Sequence, residues 1–351
     1  MKKSLLALAV LGAFAGAASA QTNVTIYGVV DAGIAFDNGS KDAGKIWALQ
    51  SGQQSGSRLG FKGTEDLGGG LSAVFTLENG FSVDDGVQGQ GALFGRQAWV
   101  GLQGQFGSVK LGRQYTSIYN ALNVIDPFGI NLAGNAQKIF GNGQYATDRL
   151  QRVNNTISYT SNNYSGFTGG VNYGFGEVAG SNTTGRDVGV ALSYVNGPIN
   201  VQYAYNKSTA NPTATGTNAG TVTDLTANFI GATYDFGVAK AHVAFADNKS
   251  DTVGTSTKDR NWLLGVSAPV GAAGTVMASW IRDDVKDVAG AKTNLYAIGY
   301  SHALSKRTNL YTSFGYTKND TAASLSEYGS TGTQTAGESD RLFNVGVRHT
   351  F

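Results

Sequence analysis

The sequence predicts an all-β fold, a transmembrane antiparallel β-barrel of about 16 strands. Three observations predict it. From Gln21 to Phe351 the chain repeats runs of roughly ten residues in which polar and apolar side chains alternate. Short turns rich in Gly, Asn and Asp alternate with long polar stretches. No later stretch approaches the ~18 consecutive apolar residues that a membrane helix requires. A chain that enters a bilayer without such helices must close its sheet, because hydrocarbon offers no partner to stray backbone groups.

The first 20 residues stand apart from that pattern. Lys2 and Lys3 give a basic start, and an apolar run from Leu5 to about Ala15 follows. Ala18-Ser19-Ala20 fits a small-x-small cleavage site. The run is too short to span a bilayer as a helix. Residues 1–20 are expected to be a signal peptide cut after Ala20, and 21–351 a single barrel domain. Export would allow disulfides, yet the chain has 0 Cys.

Composition agrees. There are 50 Gly, 16 Tyr, 17 Phe and only 4 Pro. Aromatics favour strands, and Gly suits tight turns and crowded walls. The chain holds 26 basic and 24 acidic residues. Lys2 and Lys3 belong to the leader, which has no acid, so the remainder balances at 24 to 24. No bulk basic character argues for a nucleic-acid partner. Any electrostatic preference must come from local clustering.

The elements justify themselves in chain order. Around 22–36, Val24, Ile26, Val30 and Ile34 share one face, and Thr25, Tyr27 and Asp31 the other. From 71 to 78, Ala73, Phe75 and Leu77 alternate with Ser72, Thr76 and Glu78. Ile157 and Tyr159 alternate with Asn154, Thr156 and Ser158; Phe167, Val171, Tyr173 and Phe175 with Thr168, Asn172 and Gly174. Ile199, Val201, Tyr203 and Tyr205 alternate with Asn200, Gln202 and Asn206. A period of two puts each set on one side of a sheet. In a barrel the apolar set faces lipid and the polar set water.

Tight links are expected at 66–70, 104–107, 162–166, 196–198, 235–237, 269–274 and 305–308. Longer polar stretches lie between them, at 37–54, 84–91, 115–150, 177–185, 208–222, 248–258, 285–291 and 319–338. Short turns at one rim and long loops at the other match periplasmic and extracellular ends. A barrel of about 16 strands leaves an aqueous lumen. A soluble β-sandwich also alternates, but lacks this long-short rhythm.

Several segments resemble the general porins of β-proteobacteria, within the Gram-negative trimeric porin family. They are Val24–Ala32, Ser57–Leu71, Gly95–Leu102 running into Phe106-Gly107 and Leu111–Gln114, Leu304–Thr308, and Gly346–Phe351. The resemblance spans essentially the whole exported chain. It implies a homotrimeric outer-membrane channel for passive diffusion of small hydrophilic solutes and ions. It also implies contact with outer-membrane lipid and lipopolysaccharide, and a terminal Phe351 read by the barrel-assembly machinery. No cofactor is implied.

The segment from about Tyr115 to Leu150 is long for a hairpin loop and carries apolar anchors such as Ile118, Leu122 and Phe140. The resemblance implies a third loop that folds inward and narrows the channel. Enterobacterial relatives carry Pro-Glu-Phe-Gly-Gly at its tip. Here Pro127-Phe128-Gly129 lacks the Glu, and Asp126 precedes instead.

Charged rings in a narrow aqueous path can filter ions. Arg58 shares the polar face of Gly60 and Lys62, and Arg152 that of Asn154, Thr156 and Ser158. Arg96 matches a pore-lining arginine of the family. Its parity groups it with Ala98, Val100 and Leu102, so a bulge or a strand start is needed to turn it inward. Glu78 on the wall and Asp126 on the loop are expected to oppose these arginines across the constriction. Asp31, Lys110, Lys240 and His242 also fall on polar faces. The three arginines point to a modest anion preference.

Two other classes compete. A barrel enzyme needs a His beside a nucleophile or acid. Only His242, His302 and His349 exist, and His242 has no Ser or carboxylate two residues away on its own strand. A partner from another strand stays open. No catalytic residue and no metal site is assigned; Asp84-Asp85-Gly86 lacks an EF-hand pattern. A substrate-specific sugar or organic-anion channel is the nearer rival, although the aromatics fall mostly on the lipid face.

Overall fold

Alternation at period two becomes strand wherever a neighbouring strand can take up the backbone groups. The structure is a computed structural model that describes residues 23–38, 44–209, 222–252, 254–326 and 335–351. The expected signal peptide lies outside the described residues. The strands are β1 (Asn23–Asp37), β2 (Ile46–Ser51), β3 (Arg58–Gly68), β4 (Leu71–Gly80), β5 (Gln97–Gly104) and β6 (Gly107–Tyr115). Then follow β7 (Arg152–Thr160), β8 (Phe167–Gly174), β9 (Asp187–Asn196), β10 (Ile199–Thr209), β11 (Val222–Asp235) and β12 (Lys240–Thr252). The last are β13 (Thr255–Val270), β14 (Gly274–Val285), β15 (Lys292–Ala303), β16 (Thr308–Asn319) and β17 (Asp340–Thr350). Two helices, α1 (Ser117–Ile125) and α2 (Asp148–Gln151), lie between β6 and β7.

Every pairing is antiparallel, and β17 returns to β1 in the register Gly33↔Gly346. The sheet is therefore closed. The last link is tight: the Gly28 and Phe351 backbones exchange N–H···O bonds of 3.0 and 3.1 Å. A Cβ at Gly28 would collide with the Phe351 ring, so the terminal aromatic needs a glycine there.

The 17 segments fill 16 positions. β3 pairs with the first half of β1, from Asn23↔Thr64 to Val29↔Arg58, and β2 with the second half, from Ala32↔Ser51 to Asp37↔Ile46. The polar stretch expected at 37–54 thus contains a strand. β1 outruns β3, and its later backbone groups need a partner. Residues 46–51 supply one, with Trp47 and Leu49 exposed on the outer face.

The interruption between β2 and β3 is tied down by Asp31. Its Oδ2 accepts from the Gln54 and Ser55 N–H groups at 3.0 and 2.7 Å, and its Oδ1 from the Tyr311 hydroxyl at 2.6 Å. The expected loop 248–258 also proves shorter: β12 and β13 continue as a ladder to Thr252↔Thr255. Charged residues on both faces hid that extension. Cross-strand pairs such as Arg260–Asp247, at 2.9 Å, use those charges.

The outer face is apolar as the alternation predicts, with Ile26, Val100, Ile230, Leu264 and Ile298 all exposed. Aromatic pairs stand near strand ends, Phe167 with Tyr194 and Tyr234 with Phe236 by the short turns and Phe36 with Trp47 by a long loop, while Phe245 meets Trp262 mid-strand below the β12–β13 extension.

The opposite face is not uniformly polar. Phe229, Leu263, Ile281 and Leu295 are buried there, one residue out of phase with the exposed set. They pack against Ile118, Leu122, Ile125, Ile139, Phe140 and Tyr145 of the long segment after β6. Inner-face glycines make room for its backbone: a Cβ on Gly265 would stand 2.7 Å from the Pro127 ring, and one on Gly315 would collide with the Ala133 carbonyl. The Ala133 N–H donates to the Ser313 hydroxyl at 3.0 Å.

Two outcomes follow for mutants refolded into bilayers. Ile298→Arg puts a charge on the outer face and is expected to lower the unfolding free energy by about 2–4 kcal/mol, measured by urea titration of tryptophan fluorescence. Gly315→Val is expected to leave the barrel intact in circular dichroism while limited proteolysis newly cuts within residues 126–140.

Candidate functional site

Three strands start at one level, and each brings an arginine there. Arg58 opens β3, Arg152 opens β7, and Arg96 immediately precedes β5. The ladder pairs Arg58 with Gly80 and Tyr115 with Arg152, so the ends of β3, β4, β6 and β7 form one row. Arg96 lies in that row, its N–H bonded to the Glu78 carbonyl at 3.2 Å. The parity that set Arg96 with Ala98 and Val100 does not bind it, because the β5 ladder begins at Gln97.

Arg96 is the centre of the cluster. Its Nε donates to Glu78 Oε1 at 2.8 Å and its Nη2 to the Tyr115 hydroxyl at 2.8 Å. The second Glu78 oxygen accepts from the Tyr27 hydroxyl at 2.9 Å. Both ends of the Arg96–Glu78 pair are buried. Removing one partner of such a pair costs about 3–5 kcal/mol, since the other charge is stranded. Arg152 lies over the Tyr115 ring, 4.8 Å from its centroid, and donates to Gln151 Oε1 at 2.8 Å. Tyr119 stacks on Tyr115 at 4.3 Å. Arg58 Nε donates to the Gly56 carbonyl at 2.8 Å. A Cβ on Gly56 would crowd an Arg96 nitrogen at 2.8 Å, so a bare backbone separates the two arginines.

Asp126 stands elsewhere. It closes α1 and is 4% exposed. One oxygen accepts from the Phe128 N–H at 3.0 Å, the other from Ile130 at 3.0 Å and Ala136 at 3.1 Å. The sharp reversal after α1 leaves backbone donors that need an acceptor, and this carboxyl meets them. Burial pushes it up to about 7. With these three bonds Asp126 organises the loop from within. Pro127 rests on Gly265, Phe128 is buried with Met277 and Tyr311, and Gly129 takes a positive φ of 58° to complete the turn.

The remaining polar-face residues do separate work. Asp31 holds the β2–β3 interruption. Lys240 pairs with Asp235 at 3.5 Å near a short turn. His242 has both ring nitrogens engaged, Nδ1 with the Ile125 carbonyl at 2.7 Å and Nε2 with Ser267 Oγ at 3.0 Å. The carbonyl can only accept, so Nδ1 carries the proton. Ser267 sits on the adjoining strand, where sequence spacing along β12 could not reveal it. Lys110 lies 4.3 Å from the Trp99 ring. Among the described residues no group of three or more His, Asp or Glu could hold a metal ion.

Tyr115 and Tyr119 are the cluster members that the residue pattern did not single out. Tyr27 was visible on the polar face of β1. Tyr115 ends its strand and Tyr119 is helical, so a period of two carries no signal for either.

A closed antiparallel barrel with an apolar exterior and a charged row inside is a membrane channel's architecture. The family model described as Gram-negative porin matches residues 7–322. This chain belongs to the Gram-negative porin family. It is 38% identical over the full length of both chains to outer membrane porin protein 32 of Delftia acidovorans. It is 36% identical, again over both full lengths, to an outer membrane porin protein of Bordetella pertussis. An anion-selective porin from Comamonas acidovorans superposes with a TM-score of 0.82 at 35% identity, covering 94% of this chain and 100% of that one. The porin crosses the bacterial outer membrane many times and lets solutes diffuse passively through its lumen.

The geometry around Asp126 yields one expected outcome. Asp126→Ala leaves three buried N–H groups without an acceptor, each costing about 1–3 kcal/mol. Single-channel recordings should then show a noisy, broadened conductance distribution in place of one sharp level.

Proposed function

We propose that this porin is a general diffusion channel with a modest anion preference, set where Arg58, Arg96 and Arg152 meet. The observation that carries the reading is the charge balance of that row. Arg96 is paired with Glu78 and Arg58 stands beside the same carboxylate, while Asp126 is bound by backbone N–H groups within the loop. Two guanidinium groups at one carboxylate leave an excess of positive charge there, and charges beside a low-dielectric wall act strongly on a passing ion. The segment from Thr116 to Gln151, packed on inner-face glycines and apolar residues, is the constriction loop in this reading. The anion selectivity named for the Comamonas protein, with its high overlap, supports the same sign.

The chain is a channel and not an enzyme in this reading. Among the described residues no carboxylate completes the His242–Ser267 pair, and the imidazole is held by the end of α1. The working form is a homotrimer in outer-membrane lipid and lipopolysaccharide. It is exported by residues 1–20 and inserted by assembly machinery that reads Phe351, which is exposed on the outer face.

Reversal potentials in a KCl gradient test the sign. Chloride is expected to permeate better than potassium. Arg58→Gln, which breaks no ion pair, is expected to lower the permeability ratio severalfold, while Glu78→Gln raises it. The preference should weaken between 0.1 M and 1 M salt, as the screening length falls from about 10 Å to about 3 Å. A cation-preferring wild type overturns the reading. Light scattering of the detergent-solubilised protein should give three times the mass of one chain.

A further inference from the structure

Below the arginine row the lumen wall is hollowed into an alcove of about 430 Å³. Its floor is Trp99 and Lys110, its side Gln114 and Ser158, and its roof Asn120 and Val124 of α1. Lys110 is five residues along β6 from Tyr115, or about 17 Å at the rise of an extended strand. It lies toward the short turn that links β5 and β6, on the periplasmic side of the waist. The alcove borders the arginine cluster at Tyr115, which lines both, but none of the three arginines is among its lining residues.

Three features distinguish it from ordinary channel wall. The first is the cation. Lys207, Lys240, Lys249 and Lys286 each pair with an aspartate. Among the described residues no carboxylate pairs with Lys110, whose ammonium rests on the Trp99 ring at 4.3 Å. Lys110 and Trp99 are diagonal neighbours on the inner face, since Lys110 faces Gly101 and Trp99 faces Gly112 across the β5–β6 ladder. The second feature is rigidity. The ladder between β6 and β7 shifts register between Gly112 and Gln114. Gln114 is held there by the Thr156 carbonyl at 3.3 Å and accepts from the Ser158 hydroxyl at 2.7 Å. The third is apolar surface where a lumen is expected to be polar. Ile118, Ala121, Leu122 and Ile125 of α1 are buried against the wall, but Val124 is 47% exposed and lines the alcove beside Trp99.

One unpaired cation, an indole, an aliphatic side chain and fixed amides together fit a particular chemistry. An inorganic oxyanion is best held by several donors or an arginine fork, and here there is one ammonium. A sugar would leave that ammonium unused. A carboxylate with a flat apolar body uses every feature, and the volume lies within the ~300–1,000 Å³ usual for small-molecule sites.

We infer that this alcove is a saturable subsite for small aromatic carboxylates. The carboxylate meets Lys110 and the Asn120 amide, and the ring lies between Trp99 and Val124. An occupant there narrows the path below the waist. The porin then passes inorganic ions by free diffusion but delays aromatic acids on their way through. The inference extends the diffusion reading by naming a solute class, and it does not depend on the sign of selectivity at the arginines.

The test uses the native protein in planar bilayers, with sodium benzoate titrated on either side of the membrane. Acetate supplies the charge without the ring, and benzyl alcohol the ring without the charge. Benzoate is expected to reduce the KCl conductance saturably, at millimolar half-saturation, and more effectively from the periplasmic side. Acetate and benzyl alcohol should give no saturation in the same range. Lys110→Met is expected to raise the half-saturating benzoate concentration about tenfold, the loss of one charge-assisted contact. Val124→Ser, a change on a lumen-exposed helix face that threatens no strand, should raise it severalfold. Arg58→Gln should move the reversal potential and leave benzoate half-saturation unchanged, which separates this subsite from the waist. Linear or absent benzoate block, equal block by acetate, or a half-saturation indifferent to both Lys110→Met and Val124→Ser overturns the inference.

Discussion

In hydrocarbon every backbone N–H and C=O must find its partner within the protein, and this requirement shapes everything else in the molecule. It forbids an open edge, so β17 must return to β1 and the Phe351 main chain must reach Gly28. It forbids a gap above β3, so a short strand is drawn from a polar connection to complete β1. A closed ladder then fixes which residues face in. A shift of one residue would expose the lumen set to lipid. The arginine row exists because three strands end their lumen-facing runs at one height. The hydrogen-bond ladder, not any attraction between the charges, brings Arg58, Arg96 and Arg152 together.

Once the wall is closed, its interior is a problem of filling. A barrel this wide has no core of its own. Here the segment after β6 brings one. The apolar residues of that segment and the out-of-phase residues Phe229, Leu263, Ile281 and Leu295 bury one another. Bare glycines at 265 and 315 admit backbone where a side chain would stand. The polar residues on the same face serve the same docking. Asn261 and Asn248 take the Gly141 N–H and the Tyr145 hydroxyl, and Ser313 takes the Ala133 N–H. The loop is held by hydrophobic contact, hydrogen bonds and shape at once, so its position relative to the arginines is fixed.

The barrel was legible in the sequence because period two is a backbone property that repeats in every strand. β1, β4, β8 and β10 keep the faces that their residues announce. The misses have physical causes. β2 looked like loop because a six-residue strand offers too few alternations to stand out. The β12–β13 extension looked like loop because, beyond the apolar band, both faces are wet and alternation loses its meaning. Arg58 and Arg152 were legible by parity. Arg96 was not, since it precedes its ladder. Tyr115 and Tyr119 were not, since a strand end and a helix follow different periods. Asp126 was legible as an acid near the loop tip, but no pattern reveals that three backbone donors converge on it.

The placement of Asp126 bears on the field in the channel. A carboxylate in the loop facing the guanidinium groups would offset part of their charge along the path. Turned inward onto the Phe128, Ile130 and Ala136 N–H groups, Asp126 stabilises the loop from within. Glu78 is the counter-charge of Arg96, and it is spoken for at both oxygens by Arg96 and Tyr27. Its role is therefore to anchor Arg96 as much as to oppose it. Tyr115 completes the arrangement by accepting from Arg96 through its hydroxyl and offering its ring to Arg152. Two like charges are thus positioned through one neutral side chain, which spaces them without neutralising either. Tyr115 therefore couples the β5 end of the row to its β7 end, and the position of each guanidinium depends on the strand ends that carry both.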